Sequence, residues 1–424
     1  MDFSGGHYWT PIHKGPPGAG KTYTGARMIC ELVRTGARVG VTALSHKVIG
    51  NLLKEVTEAA SECGIKMACA QLTPDEAPPG VEKITKNDAA LARLTDRRAY
   101  VVGGTSWLWF DPKALNSVDV LFVDEAGQMP LANVLAASQA GGSVVLLGDP
   151  QQLDQPQQGS HPEGADVSAL EHMLGEHKTI PSDRGIFLSE TWRLAPSICK
   201  FTSEVFYEGR LHAHAGLERQ VLVGTAPFEG AGLWVNAVLH EGNQNSSIEE
   251  VDAVDRIVSS LLRPRAQWVD RDGATRPMTA DDVLVVAPYN SQVALLEERI
   301  GSKGVRAGTV DRFQGQEAPV VIYSMTTSAP EDAPHGMEFL YSLNRLNVAT
   351  SRARCACILV ANPRLFEPEC KTPRQMHLAN GLCRYVELAR AIGIAPGGPS
   401  APTVLITRTS SSAVPHQKEF QQPQ

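Results

Sequence analysis

The sequence predicts an α/β chain built on parallel β-sheets, with two such sheets in tandem. Three observations predict it. Short apolar runs of strand length recur at residues 39–43, 100–103, 118–123, 143–147 and 185–188. A second series follows at 283–287, 320–323 and 357–360. Between the runs lie stretches with apolar residues at helical spacing, clearest at 23–33, 249–262 and 291–300. A strand that is apolar at nearly every position is buried on both faces, as a parallel strand covered by helices is. Strand and helix in alternation is the order that parallel sheets require.

Length and composition agree. At roughly 150 residues per domain, 424 residues allow two or three domains. A hydrophobic share of 42% and a charged share of 20% exclude a disordered or fibrous chain. No apolar run approaches the ~18 residues of a membrane span. Residues 1–7 carry no basic or apolar stretch, so they are not a secretory signal. The net charge of −7 disfavours a protein that coats nucleic acid with positive charge, but leaves room for a local basic cleft. Eight cysteines are scattered along the chain, which fits a reduced, cytoplasmic setting. Cys355 and Cys357 are two apart on an apolar run, so a regular strand points both to one face as small buried hydrophobes. A thiolate metal site completed by Cys370 and Cys383 is the other reading, although no C-x₂-C pair accompanies them.

The first chemistry-bearing segment is Gly15, Pro16, Pro17, Gly18, Ala19, Gly20, Lys21 and Thr22, which fits G-x-x-x-x-G-K-[ST]. Glycines there let backbone N–H groups wrap a phosphate. Lys21 supplies charge at the β- and γ-phosphates, and Thr22 offers a hydroxyl to Mg²⁺. The helix that follows aims its positive end at the same phosphates. The apolar run 118–123 then ends in Asp124 and Glu125. That is where a P-loop ATPase needs one carboxylate for Mg²⁺ and another to orient and deprotonate water; these roles fall to Asp124 and Glu125. A dinucleotide-binding fold is excluded, because no G-x-G-x-x-G opens the first helix. A small GTPase is disfavoured by the absence of N-K-x-D.

Further segments come in a telling order: 124–128 (DEAGQ), 148–153 (GDPQQL), 190–193 (ETWR), 309–317 (TVDRFQGQE) and 345–354 (RLNVATSRAR). With the P-loop they resemble the superfamily 1 helicases over about residues 15–390. The Gln-Gly-x-Glu and Leu-Asn-Val-Ala forms resemble the 5′→3′ branch, which holds nonsense-decay RNA helicases and replication helicase–nucleases. The likeness is greatest to the C-terminal helicase part of bacterial RecB-like nuclease–helicase fusions. It implies two RecA-like P-loop NTPase domains, expected at 1–195 and 196–394. A small helical insertion is expected at about 52–98 and a disordered tail at 395–424.

The resemblance also implies roles. Gln152 matches a glutamine that senses the γ-phosphate, and Trp192 an aromatic that stacks on adenine. Arg193 and Arg352 match two arginines that reach the γ-phosphate. Gly315 and Glu317 match a motif between nucleotide and nucleic acid, where Glu317 is expected to bond ribose or a water near Mg²⁺. Ser45, His46, Thr105, Pro288 and Tyr289 match positions that contact the strand. They sit in segments of hydroxyls, amides and aromatics placed just after strands, which hold phosphate and sugar or stack on bases without reading sequence. Trp107 and Trp109 read as packing rather than as base platforms.

The front departs from the family pattern. Residues 8–14 make a poor central strand, because Pro11 removes a ladder donor. No glutamine precedes Gly15 to read adenine. The expectation is an N-terminally truncated member, with a nuclease domain or partner encoded upstream. The sequence thus leads to an ATP- and Mg²⁺-dependent monomeric helicase or translocase on single-stranded nucleic acid, DNA in preference to RNA, moving 5′→3′. The alternatives are an ATP-gated single-strand clamp that does not unwind, and an inactive fragment of a larger nuclease–helicase.

Overall fold

The first apolar series folds as a nine-stranded sheet in a computed structural model that describes residues 8–9, 12–153, 167–175, 177–313 and 315–392. Its strands are β1 (Tyr8–Trp9), β2 (Ile12–Lys14), β3 (Val39–Thr42), β4 (Cys69–Leu72), β5 (Val81–Ile84), β6 (Val101–Gly103), β7 (Val118–Val123), β8 (Gly141–Gly148) and β9 (Gly185–Phe187). They run in the order β5-β4-β6-β3-β7-β8-β2-β9, with β1 also on β8, and every pair is parallel. Helices α1 (Lys21–Arg34), α2 (His46–Glu62), α3 (Asn87–Thr95), α4 (Ser106–Trp109), α5 (Leu131–Ser138) and α6 (Ala169–Leu174) connect them. Successive residues of one strand serve opposite cores. Phe122, Val145 and Leu147 pack with Ile29 of α1 and Leu53 of α2. Leu121, Val123, Val144 and Leu146 pack with Leu94 of α3, Val134 of α5 and Leu170 of α6. Burial on both faces explains why these strands read as unbroken apolar runs.

Two expectations for this half are corrected. The stretch read as a helical insertion at 52–98 holds part of α2, all of α3 and two strands, β4 and β5, that extend the sheet. The strands were hidden because β5 is an edge strand with Glu82 and Lys83 exposed, and β4 carries buried Gln71, whose amide donates to the His46 carbonyl at 2.7 Å. The front does form strands. β1 pairs with β8, and β2 sits between β8 and β9, with Pro11 between the two strands in sequence.

After β9 come β10 (Glu190–Thr191), α7 (Pro196–Phe206) and β11 (His212–Ala213), with β10 and β11 paired. The second large sheet has six parallel strands: β13 (Gly232–Ala237), β16 (Val283–Ala287), β17 (Arg306–Thr309), β18 (Ala318–Ser324), β19 (Ala353–Ala361) and β20 (Arg390–Ile392), ordered β17-β16-β18-β19-β13-β20. A small antiparallel sheet of β12 (Val221–Val223), β14 (Gln267–Val269) and β15 (Thr275–Pro277) accompanies it. The helices are α8 (Ile248–Leu261), α9 (Asn290–Ile300), α10 (Gly336–Leu340), α11 (Leu343–Thr350) and α12 (Pro373–Leu388). Again one strand feeds two cores: Val321 and Tyr323 serve one, Val320 and Ile322 the other. Leu153, from the first half of the chain, packs into the former. Two helix-covered parallel sheets in tandem are the architecture of RecA-like domains. Residues 395–424, read as a tail, lie outside the described residues.

A β-bulge overturns the cysteine geometry. Ala318 faces Ala353, but Val320 already faces Ala356, so β19 carries one extra residue at Arg354–Cys355. The bulge turns Cys355 into one core while Cys357 points into the other. All eight cysteines are free, and burial pushes the Cys355 and Cys357 thiols up to about 12, away from the thiolate a metal needs. Among the described residues no group of three or more His, Cys, Asp or Glu is placed to hold a metal ion. No described helix is long and apolar enough to cross a membrane.

Candidate functional site

Between β2 and α1 the chain makes a phosphate-sized loop. Gly18 and Gly20 both sit in the left-handed region, at φ 70° and 78°, which side-chain-bearing residues avoid. Gly20 is also the N-cap of α1 and offers no side-chain cap, so the first amides of the helix are open to an anion. A Cβ on Gly18 would stand 2.5 Å from Arg193 Cβ and 2.9 Å from Thr191 Oγ1. The segment 191–193 is laced to the loop there: Thr191 Oγ1 donates to the Pro17 carbonyl at 2.9 Å, and the Trp192 amide to the Gly18 carbonyl at 2.8 Å. Lys21 Nζ donates to the Gly15 carbonyl at 2.6 Å, holding its charge inside the loop.

β7 delivers the carboxylates. Asp124 is buried and accepts from the Glu125 amide at 2.9 Å. Burial, then the Glu125 charge, push its carboxyl up to about 7, against the pull of Lys21. A cation beside it would reverse that balance, as a Mg²⁺ ligand requires. Glu125 has φ 51°, a left-handed conformation costly for a residue with a side chain.

Arg193 stands beside the loop, and Arg352 approaches from the second half. Arg193 ion-pairs with Glu317 and donates to the Ser351 carbonyl at 3.4 Å. Arg352 is buried between α11 and β19 and donates to the Gln316 carbonyl at 3.3 Å, while its Nε has no hydrogen-bond partner. Burial depresses both guanidinium pKa values, that of Arg352 to about 10, and each loses further to a neighbouring arginine. Glu125 and Glu317 are the charges that favour charged Arg352. A buried Arg352 with an unpartnered Nε–H, a half-buried Arg193 near it and an anion-ready loop fit the charge of a triphosphate. Glu317 pairs with Arg193 and Arg354, the bulge residue of β19. Burial pushes its carboxyl up, but the two arginines hold it below its ordinary value. Gly315 beside it has φ 79°.

One relay escaped the sequence reading. Tyr207, just after α7, donates to Asp149 Oδ2 at 2.6 Å. Asn347 of α11 donates to the Tyr207 oxygen at 2.9 Å and to the Gln151 carbonyl at 2.7 Å. Asp149 also accepts from the Gln151 amide at 3.1 Å and from Gln152 Nε2 at 3.4 Å. The segment 149–152 of the first half is thereby bonded to α11 of the second, beside Arg352. A lone tyrosine just past the end of α7 carries no motif that could have marked it.

Just after the loop-laced segment, Trp192 is 46% exposed and stacks on His214, with centroids 3.5 Å apart and planes 22° apart. It lines a cavity of about 750 Å³ together with Ala19, Gly20, Tyr23 and Thr24.

The expected strand contacts divide. β3 and β6 are neighbours in the first sheet, and Ser45 and Thr105 follow them directly as the N-caps of α2 and α4. Ser45 accepts from the Val48 amide, Thr105 makes no cap bond, and His46 Nδ1 is buried without a partner. Trp109 is buried, as expected. Trp107 is not packing: it is 78% exposed, one residue beyond the α4 N-terminus, and touches Phe110 edge-on at 5.7 Å. Its neighbour in the helical turn faces the core, so Trp107 must face out. Pro288 follows β16 in the second sheet. Tyr289 is only 6% exposed, with its ring stacked on Phe339 at 5.5 Å, so it offers no face to a base.

Comparison with known proteins gives a consistent picture. Residues 5–167 match one AAA domain family and residues 165–364 a second. The chain is 26% identical over 415 residues to the putative helicase mov-10-B.1 of Danio rerio, covering 84% of this chain and 40% of that protein. It is 22% identical over 400 residues to the DNA replication ATP-dependent helicase/nuclease JHS1 of Arabidopsis thaliana, covering 90% and 29%. It is 24% identical over 422 residues to the DNA polymerase alpha-associated DNA helicase A of Schizosaccharomyces pombe, covering 82% and 60%. The matched region thus spans less than two thirds of each of these relatives.

Proposed function

Because the chain belongs to the superfamily 1 helicases, we propose that it hydrolyses ATP between its two RecA-like sheets and uses the cycle to move along single-stranded nucleic acid. The observation that carries the proposal is that Arg352 of the second half is close enough to Glu125 of the first to feel its charge, while Arg193 packs against Gly18 of the phosphate loop. Positive charge from the second half thus faces the carboxylate that follows β7 in the first. Lys21 and the α1 amides hold the β- and γ-phosphates. Thr22 and Asp124 are the residues that would hold Mg²⁺, which would neutralise phosphate charge when bound. Glu125 orients a water and takes its proton as the water oxygen bonds to the γ-phosphorus. The bond to the β-phosphate oxygen breaks, leaving ADP and phosphate. Arg193 and Arg352 stabilise the charge on the transferring group, and Arg352 does so only when the second sheet is closed on the first.

Glu317 acts as the counter-charge that keeps Arg193 and Arg354 in place, rather than as a ribose ligand. Gln152 joins the γ-phosphate side to the relay through Asp149, Tyr207 and Asn347. Ser45, His46 and Thr105 hold backbone phosphates at the ends of β3 and β6, and Trp107 adds a stacking face beside them. Tyr289 and Pro288 are both buried and shape the matching loop from within rather than facing the strand. Movement is 5′→3′, on the likeness of the 309–317 and 345–354 segments to that branch, and DNA is the preferred strand, as for the DNA helicases among the relatives.

The test is the ATPase rate of the full chain with and without single-stranded DNA and RNA, followed by unwinding of forked substrates. Stimulation by a strand is expected, with Lys21→Ala and Glu125→Gln inactive. A wild-type ATPase rate in either variant refutes the site. Unwinding only from the 3′ side refutes the direction. Strand-stimulated hydrolysis without unwinding replaces the helicase by the ATP-gated clamp.

A further inference from the structure

Two cavities adjoin at the base end of the cleft. The larger, of about 750 Å³, runs from Gly20 and Tyr23 to Trp192, His212 and Arg271. The smaller, of about 370 Å³, lies toward Arg193, Glu317 and Trp268, and shares Trp192 and Arg271 with the first. Arg271 was not singled out by any motif. It stands in the turn between β14 and β15, whose Trp268 is anchored in the core of the second sheet.

That turn is fixed. The Asp270 carboxylate accepts from the Asp272 amide at 3.0 Å, the Ala274 amide at 2.9 Å and Arg276 Nε at 3.1 Å. Gly273 closes it at φ 86°. The hairpin tip is therefore held by Asp270 and Arg276 without drawing on Arg271. Among the described residues the one ion pair of Arg271 is a 3.9 Å approach to Asp272, in solvent. Such a pair holds a guanidinium weakly. A planar cation with no strong partner thus lines the same space as a half-exposed indole whose far face is already stacked on His214. A flat, electron-rich ring is the ligand that such a pair of walls receives.

We propose that Arg271 is a nucleobase contact: the hairpin of the second half sets its guanidinium over the base of the bound nucleoside triphosphate, opposite Trp192. The inference rests on the ATP reading above and deepens it. It makes the base, as well as the γ-phosphate, a link between the two halves.

The experiment is equilibrium binding of ATP, ADP and inorganic tripolyphosphate to the full chain. A base contact predicts that Arg271→Ala weakens ATP and ADP alike, by about threefold to thirtyfold, and leaves tripolyphosphate unchanged. Arg271→Lys, which keeps charge but not the plane, should recover only part of the loss. Arg271 is exposed and outside both cores, so the variants should melt with the wild type. ATP binding by Arg271→Ala within about twofold of wild type overturns the proposal, as does an equal loss for tripolyphosphate, which marks a phosphate contact. A wild-type chain that binds no ATP overturns the ATP reading along with it. A wild type that binds ATP beside an unaffected Arg271→Ala overturns this inference alone.

Discussion

Tyr207→Phe removes one oxygen from the bonded path between segment 149–152 and α11. The phenyl ring stays, so packing against Phe206 and Phe187 is kept. The loss is the hydroxyl that donates to Asp149 at 2.6 Å and accepts from Asn347 at 2.9 Å. Both neighbours are buried, so water does not replace it. A hydrogen bond to a charged group contributes about 1.5–3 kcal/mol. Asp149 keeps the Gln151 amide and Gln152, and Asn347 keeps the Gln151 carbonyl. The remaining partners place the loss toward the middle of that range, at about 2 kcal/mol. For halves of this size that is a fall of about 4–8 °C in melting temperature. The assay is a thermal melt followed by circular dichroism, with Asn347→Ala and the double variant completing a cycle. Because the two residues share one bond, the double variant should cost less than the sum, by at least about 0.5 kcal/mol. A Tyr207→Phe melt within 1 °C of wild type, or strict additivity in the cycle, refutes the relay.

Three further results are expected. Burial raises the Glu317 carboxyl pKa, but Arg193 and Arg354 bring it below its ordinary value of 4.5, so the net folded value is depressed. Its contribution to stability is therefore fully present above 4.5 and is lost as pH falls through the folded value. Wild type should lose stability over Glu317→Gln below pH 4.5 in denaturation curves, and parallel curves there contradict the assignment. Trp107→Ala should weaken single-strand binding by about tenfold, since one stacked base contributes about 1–3 kcal/mol, and remove most of the fluorescence quenching on binding. Unchanged affinity and quenching would return Trp107 to the surface. Ser45→Ala removes an N-cap oxygen as well as a strand contact, so it should lower stability by about 1 kcal/mol in addition to weakening binding. A melt unchanged from wild type denies the cap.

Most of the two sheets could be read from the chain, because parallel strands buried on both faces leave unbroken apolar runs such as 118–123 and 283–287. β5 could not be, since an edge strand needs only one apolar end and shows Glu82 and Lys83 to solvent. β2 was obscured by Pro11, although a strand three residues long makes its ladder bonds without it. The phosphate loop and the Asp124–Glu125 pair were legible because their chemistry demands contiguous residues. Tyr207 was not, because it works through neighbours distant in sequence, Asp149 and Asn347. Cys355 went astray for a local reason: one extra residue in β19 reverses which face a side chain takes. Trp107 and Trp109 differ by two residues on a helix, a separation that turns one inward and the other out.

The central claim is that hydrolysis needs an arginine from the second sheet at a phosphate site built by the first. Its most direct test is the strand-stimulated ATPase of Arg352→Ala, measured at saturating ATP beside ATP binding. An arginine that stabilises the transferring phosphoryl group contributes about 10³-fold or more to the rate. The account predicts ATP binding within a few-fold of wild type and hydrolysis reduced by about that factor. Hydrolysis at the wild-type rate by Arg352→Ala would contradict it.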